Sequence, residues 1–271
     1  MINKIREAIK LINKSKDTKR NGGPALSLKR NFREKDKKKD KEIAGWISPD
    51  YSQSRPTRLD AGFIAGNRCL ANVNNVPEAD AYRVLRSQVL HRTRESGSNT
   101  VMVTSALPGE GKTLTAINLA FTIAREFQHT VLLVDGDLRQ QNIHKYLGCS
   151  GEKGLIDYLA DGSPVSDLIT WPGIEKMTLI SGGHSFHESA EILGSPRMKE
   201  FISDIKWRYP ERYILFDAPP ILSGADVLTL AHLIDLVIVV VQAGKTSMDD
   251  VRRALHYLPK EKILGFVLNR C

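Results

Sequence analysis

Apolar residues along the chain fall into short, nearly continuous runs separated by stretches of helical period. The runs are 100–105 (TVMVTS), 130–135 (TVLLVD), 177–181 (MTLIS), 213–217 (YILFD), 236–242 (LVIVVVQ) and 263–268 (ILGFVL). Strands with one wet face alternate apolar and polar residues, whereas runs that are apolar throughout are buried on both faces. Helical segments over 112–127, 187–206 and 246–258 lie between them. Strand and helix in this alternation predict an α/β fold, a mostly parallel central sheet with helices on both faces. Ligands of such sheets sit beyond the carboxyl ends of the strands.

The pattern is different before Pro77. Residues 15–76 pass through KRNGGP, KRNFREKDKKKDK and a Ser/Pro/Asn/Gly-rich stretch, a composition with too little apolar surface to offset the entropy of ordering. They are expected to form a basic, largely disordered linker. Ahead of it, Ile2, Ile5, Ile9 and Ile12 recur at helical spacing among basic residues, so 1–14 is a possible amphipathic helix. It would either meet an anionic membrane or a partner, or be a solvated end without a role. The folded domain is expected over 77–271.

Charge follows the same division. The formal net charge is +8, yet residues 1–45 hold 15 Lys/Arg against 6 Asp/Glu, leaving 24 basic and 25 acidic residues for the rest. A nucleic-acid-binding fold spreads cations over a folded face, so no nucleic-acid partner is expected. Three cysteines without paired spacing (Cys69, Cys149, Cys271) argue against a disulfide framework or a zinc site. No apolar run approaches the roughly 20 residues that cross a bilayer, and the charged N-terminus is unlike a secretory signal. A cytoplasmic protein is expected.

The chemistry is concentrated in three places. Straight after the first strand, ALPGEGKT (Ala106 to Thr113) leads into TLTAINLAFTIARE. This is the phosphate-loop pattern with Ala106 in the first glycine position. Gly109 and Gly111 let backbone N–H groups converge on phosphate oxygens, and the following helix adds its positive end. Candidate nucleotide-binding residues are Pro108, Gly109, Glu110, Gly111, Lys112, Thr113 and Leu114. Lys112 would reach the terminal phosphates and the Thr113 hydroxyl would ligate Mg²⁺. The second place is VLLVDGDLRQ, where Asp135, Asp137 and Arg139 follow a buried strand; the third is YILFDAPP, with Asp217 at another strand end. Carboxylates buried at strand ends need a partner, and a metal ion or a transferring phosphate supplies one.

The trio ALPGEGKT, LLVDGDLR and ILFDAPP resembles the bacterial tyrosine kinases, a phosphate-loop family whose second motif is three apolar residues followed by D-x-D-x-R. The septum-site and chromosome-partitioning ATPases share this kind of sheet but carry a signature Lys early in the loop, where this chain has Leu107. The resemblance covers roughly 78–270, including HESAEILGSPRMKEFI (187–202) and ADAYRVLRSQVL (79–90). The latter is similar to an oligomerisation helix of form E-x-x-R-x-x-R, with Arg83 and Arg86 matching and Asp80 in the Glu position.

What the resemblance implies is an ATP-dependent protein-tyrosine autokinase on a phosphate-loop, partitioning-ATPase-like fold, regulating exopolysaccharide or capsule polymerisation and export. ATP and Mg²⁺ would be its cofactors. Lys112 and the loop amides would hold the β/γ-phosphates, Thr113 and Asp137 the Mg²⁺, and Asp217 the Mg²⁺ through water. Asp135 would accept the proton of the attacking tyrosine, Arg139 would steady the transferring charge or pair with Asp137, and Asn269 would contact adenine. A membrane-embedded chain-length-determinant protein would activate the kinase at the inner face of the membrane, with the Ile-rich N-terminus a contact point. Self-association would run through the Arg83/Arg86 helix. Such kinases commonly end in a tyrosine cluster, whereas the seven tyrosines here are scattered and the sequence ends at Cys271 without one. The acceptor is therefore expected at a dispersed site or on another protein. Two other readings use the same loop: a partitioning-type ATPase switch without kinase activity, and a catalytically silent ATP-binding subunit of an export complex.

Overall fold

A computed structural model describes Tyr51 and residues 54–70, 77–94, 96–186 and 188–270. The expected helix at 1–14 and most of the 15–76 stretch lie outside the described residues. In chain order the strands are β1 (Arg55–Pro56), β2 (Thr100–Ser105), β3 (Thr130–Asp135), β4 (Thr170–Trp171), β5 (Met177–Ile180), β6 (Arg212–Asp217), β7 (Leu236–Gln242) and β8 (Ile263–Asn269). They form one sheet in the order β1-β4-β5-β3-β6-β2-β7-β8, parallel except between β4 and β5. The six predicted runs are β2, β3 and β5 to β8; the two-residue β1 and β4 are too short to carry a periodicity.

Alternation within the strands sends side chains to two separate cores. Met102, Leu132, Val134, Phe216 and Val239 face one, with helices α5 (Leu155–Asp161), α6 (Ser189–Leu193), α7 (Pro196–Arg208), α8 (Asp226–Leu233) and α9 (Met248–His256) over them. Val103, Val131, Leu133, Leu215 and Val240 face the other, under α1 (Ala61–Gly66), α2 (Pro77–Thr93), α3 (Lys112–Ala124) and α4 (Ile143–Leu147). This double cover is why the central strands are apolar at nearly every position.

Two helices differ from the periodicity for local reasons. The segment expected as one helix over 187–206 breaks into α6 and α7, because Pro196 lacks an N–H and Ser195 caps the second helix, its side chain accepting from the Met198 N–H. From there Met198, Phe201, Ile202 and Ile205 bury one stripe. The composition of 15–76 predicts disorder throughout, yet residues 54–70 are folded. Asp60 caps α1, Ile64 and Cys69 bury against α3, and β1 adds to the β4 edge. A few apolar residues suffice there because the docking surface is already built.

Both arginines expected at an oligomer contact are engaged within this chain. Arg86 pairs with Glu126 at 2.8 Å and donates to the Thr122 carbonyl at 3.1 Å, which ties α2 to the end of α3. Arg83 pairs with Asp80 of its own helix.

The strand order also sets the position of the functional edge. From β2 the chain crosses to β3, two places away, and β6 later fills the gap between them; β7 and β8 extend the other side. The direction of winding reverses at this point, and the loops at the strand tips there separate into a crevice.

The loop before α5 is held by a close backbone approach at Gly154, where an added Cβ would stand 2.0 Å from the Ser181 carbonyl oxygen and 2.3 Å from the Gly183 nitrogen. Gly154→Ala should therefore lower unfolding stability by about 1–3 kcal/mol in urea titration. Gly66→Ala, where an added Cβ meets nothing within 4 Å, should stay within about 0.5 kcal/mol of the parent.

Candidate functional site

The bend from Ala106 to Thr113 joins β2 to α3 at the carboxyl edge of the sheet. Gly109 (φ +80°) and Gly111 (φ +96°) occupy the left-handed region that side chains disfavour. Gly109 faces open space, whereas a Cβ on Gly111 would meet Asn269 Nδ2 at 2.1 Å. Asn269, at the tip of β8, donates Nδ2 to the Glu110 carbonyl at 2.8 Å. The Glu110 carboxylate turns back into the protein. It accepts the Leu107 N–H at 2.7 Å, the Gln242 N–H at 3.4 Å and the Thr246 hydroxyl. The bend is thus braced from β7 and β8 while Pro108 and Gly109 stay exposed. Leu114 is half-buried on the first turn of α3, whose positive end opens toward the bend.

Opposite the bend stand the carboxylates. β3 and β6 pair with Asp135 beside Asp217, and the Gly136 N–H donates to the Asp217 carbonyl at 2.8 Å, locking the two tips together. Lys112 Nζ lies 3.0 Å from Asp137 Oδ2 and 3.5 Å from Asp217 Oδ1. The Thr113 hydroxyl donates to Asp217 Oδ2 at 2.6 Å. Asp135 accepts from the Asn142 and Ile143 N–H groups, both at 3.1 Å, and from the Asp137 N–H at 3.3 Å. Asp137 in turn accepts the Gln140 N–H at 3.0 Å. All three carboxylates and Lys112 are buried.

Their proton affinities follow from this crowding. Burial pushes Asp135 up to about 8, reinforced by the Asp217 carboxylate and only partly opposed by the Ile143 N–H and Lys112. Asp217 is also raised by burial, against the pull of Lys112 and the Thr113 hydroxyl. For Lys112, burial favours the neutral amine, but Asp217 and Asp137 more than offset it and hold the ammonium.

Arg139 is directed away from this cluster. It does not pair with Asp137: its Nη2 lies 3.1 Å from Asp226 Oδ1 and its Nε donates to Ser189 Oγ at 2.8 Å, while the Ser189 hydroxyl donates to Asp226. The reason is reach: Asp137 is already taken by Lys112 and the Gln140 N–H, and the buried Asp226 has need of a cation. The fold therefore brings Lys112, Thr113, Asp135, Asp137 and Asp217 together, sets Asn269 and Glu110 behind the bend, and clamps Arg139 to one side. Sequence reasoning misses Gln242, Thr246, Ser189 and Asp226. Gln242 and Thr246 lie more than 130 residues from Glu110, and Ser189 and Asp226 lie 50 and more residues from Arg139, so no local spacing links them to the residues they hold.

The donor chemistry fits a hard cation. The Thr113 hydroxyl, Asp137 and Asp217 are oxygen donors, and Asp217 Oδ1 has no hydrogen-bond partner among the described residues. No group of three His, Cys, Asp or Glu ligands converges among the described residues. Mg²⁺ needs none, since it takes one or two protein oxygens and completes its shell with phosphate oxygens and water.

Residues 98–262 match the AAA domain family. The chain is 31% identical over 211 residues to tyrosine-protein kinase YwqD of Bacillus subtilis, covering 75% of this chain and 88% of that protein. It is 30% identical to EpsB of Ralstonia solanacearum over 81% of its own length but spans only 29% of that relative. Among solved structures, the kinase domain of Escherichia coli tyrosine kinase ETK superposes with a TM-score of 0.65 at 27% identity, covering 71% of this chain and 76% of that domain. The septum-site-determining protein MinD of Pyrococcus horikoshii, solved with Mg-ADP, superposes with a TM-score of 0.52 at 28% identity, covering 64% and 70%. The fold is that of a phosphate-loop nucleotide-binding protein.

Asp135 binds its proton more tightly folded than unfolded. That proton stabilises the fold fully below the unfolded carboxyl range near pH 4, and the contribution is lost as pH rises toward about 8. In nucleotide-free thermal melts, Asp135→Asn should therefore gain on the parent as pH goes from 5 to 8, and a Tm difference independent of pH would contradict the assignment.

Proposed function

The chain belongs to the AAA domain family and, within it, to the bacterial tyrosine kinases, and from that premise we propose that it transfers the γ-phosphoryl group of ATP to protein tyrosine. The observation that carries this reading is the convergence of Lys112 and Thr113 on Asp137 and Asp217, with Asp135 beside Asp217 on the adjoining strand.

Lys112 and the bend amides would bind the β/γ-phosphates, the lysine exchanging its carboxylate partners for phosphate oxygens. Thr113 and Asp137 would hold Mg²⁺ directly and Asp217 through water. The metal supplies charge neutralisation on the phosphate oxygens. Asp135 would take the phenolic proton as the tyrosine oxygen bonds to the γ-phosphorus and the bond to the β–γ bridging oxygen breaks, releasing ADP. Burial raises its proton affinity, so once ionised it is a stronger base than a solvated carboxylate. In this reading Arg139 acts beside the transfer rather than as a partner of Asp137. Asn269 supports the bend, and contact with adenine would use the face of its side chain away from Glu110.

The biological setting comes from the resemblance. We assign the kinase to regulation of exopolysaccharide or capsule production at the inner face of the membrane, under a membrane-embedded chain-length-determinant activator. Among the described residues no helix is long and apolar enough to cross a membrane, which fits recruitment by such a partner. The Ile-rich 1–14 and the basic residues ahead of the folded 54–70 stretch would serve as contact and tether, and the kinase domain expected over 77–271 would also take in 54–70, whose β1 joins the same sheet. Self-association would use the exposed side of α2, where Val84 stands out at 62% exposure.

Purified chain with Mg·ATP should yield phosphotyrosine on itself or on a co-expressed protein, and Lys112→Met should lower the yield by about a hundredfold or more. Release of free phosphate without phosphotyrosine would overturn the kinase reading in favour of an ATPase switch.

A further inference from the structure

Beside the carboxylates the loops after β3 and β5 enclose a cavity of about 360 Å³, lined among others by Arg139, Gln140, Asn142, Lys145, Gly183 and Ser185. We propose that this cavity seats acidic side chains flanking the acceptor tyrosine, so that the chain selects tyrosines in Asp/Glu-rich segments. The proposal rests on the kinase reading above.

Position supports it first. In the sheet order, β2 with its phosphate bend and β8 with Asn269 lie on one side of β6, and β3 and β5 on the other. A nucleotide whose phosphates rest on the bend and whose base lies toward Asn269 leaves the β3/β5 side open to the acceptor. The cavity wall is also continuous with the machinery. The Gln140 N–H donates to Asp137 and the Asn142 N–H to Asp135, so a peptide lodged there is held by the same short loop that orients both carboxylates.

Chemistry supports it second. Among the described lining residues none is acidic, two are cationic, and most of the others are neutral polar groups. His144, also in the wall, has its proton affinity lowered by burial and by Lys145. Such a lining offers little to an aromatic ring and much to a carboxylate. Arg139 enters already fixed by Asp226 and Ser189, so little side-chain entropy is lost when it meets a ligand. Lys145 is exposed at the rim, where a cation contributes to selection and encounter more than to raw affinity.

The test separates binding from chemistry. Fluorescein-labelled Glu-Glu-Glu-Tyr-Glu-Glu and its Gln counterpart are titrated by anisotropy onto the full chain with Mg·ADP present, alongside phosphotransfer to the unlabelled peptides. The Glu peptide should bind more tightly than the Gln peptide. Lys145→Glu should weaken Glu-peptide binding roughly three- to tenfold and raise its KM similarly, with ADP affinity unchanged. Gln140→Glu, which keeps the backbone N–H to Asp137, is the second variant should the first fail to fold. Equal binding of the two peptides, or Glu-peptide affinity and KM unmoved by the substitutions, would overturn the cavity assignment even with phosphotransfer intact. Charge-selective binding sensitive to Lys145, without phosphotyrosine on any peptide, would reject the kinase reading and leave the cavity's acidic preference standing.

Discussion

Three buried carboxylates share one buried ammonium. Asp135, Asp137 and Asp217 lie at or just past the strand tips, with Lys112 paired to Asp137 and Asp217 while Asp135 is held by backbone N–H groups, and such an excess of negative charge in a dry setting is costly. The protein meets part of this cost with backbone N–H donors from Gln140, Asn142 and Ile143 and with the Thr113 hydroxyl. The rest appears as the raised proton affinity of Asp135 and Asp217. A site in this condition is matched to a ligand that brings positive charge to the carboxylates and negative charge to the lysine. A magnesium-bound nucleotide would do both at once, and in the proposed reading this charge imbalance is what it would answer.

Everything around that imbalance serves to keep it in register. The insertion of β6 between β2 and β3 sets Asp217 between the phosphate bend and Asp135, and the Gly136 N–H to the Asp217 carbonyl prevents the two tips from drifting apart. The bend, in turn, is held from behind by Glu110 and Asn269 through β7 and β8. Strand ends carry Asp135 and Asp217, the first turn of α3 carries Lys112, and the exposed face of the bend is left to Pro108 and Gly109, the arrangement by which binding loops on a stiff scaffold combine precision with close approach.

The clamp on Arg139 shows how one motif can serve two surfaces. Its neighbour Asp137 pairs with the lysine and Asp135 accepts the N–H groups of the same loop, while the arginine turns to the buried Asp226 of α8 and shapes the wall of an adjoining cavity. A short loop thereby joins the carboxylate cluster, where phosphoryl transfer is proposed, to the cavity proposed for an acceptor segment, through the Gln140 and Asn142 N–H groups that Asp137 and Asp135 accept.

Burial, layering and the glycine-bearing bend between β2 and α3 were legible in the residues alone. A strand covered on both faces has to be apolar throughout, a helix with one wet face has to show its period, and a loop that wraps phosphate has to place glycine and lysine at fixed offsets. Asp135, Asp137 and Asp217 were legible for a similar reason, since an acid at the end of an apolar run has few structural uses. The partnerships were not. Glu110 with Thr246, Arg139 with Asp226, Asn269 with the Glu110 carbonyl and Arg86 with Glu126 join segments distant in the chain, and each depends on which strands lie side by side. Strand order follows from how crossovers pack rather than from any local pattern. The sequence by itself therefore determined which groups would be buried and charged, and only the tertiary structure decided which of them would neutralise one another, because a hydrogen bond or ion pair is selected by distances of a few ångströms that folding alone creates.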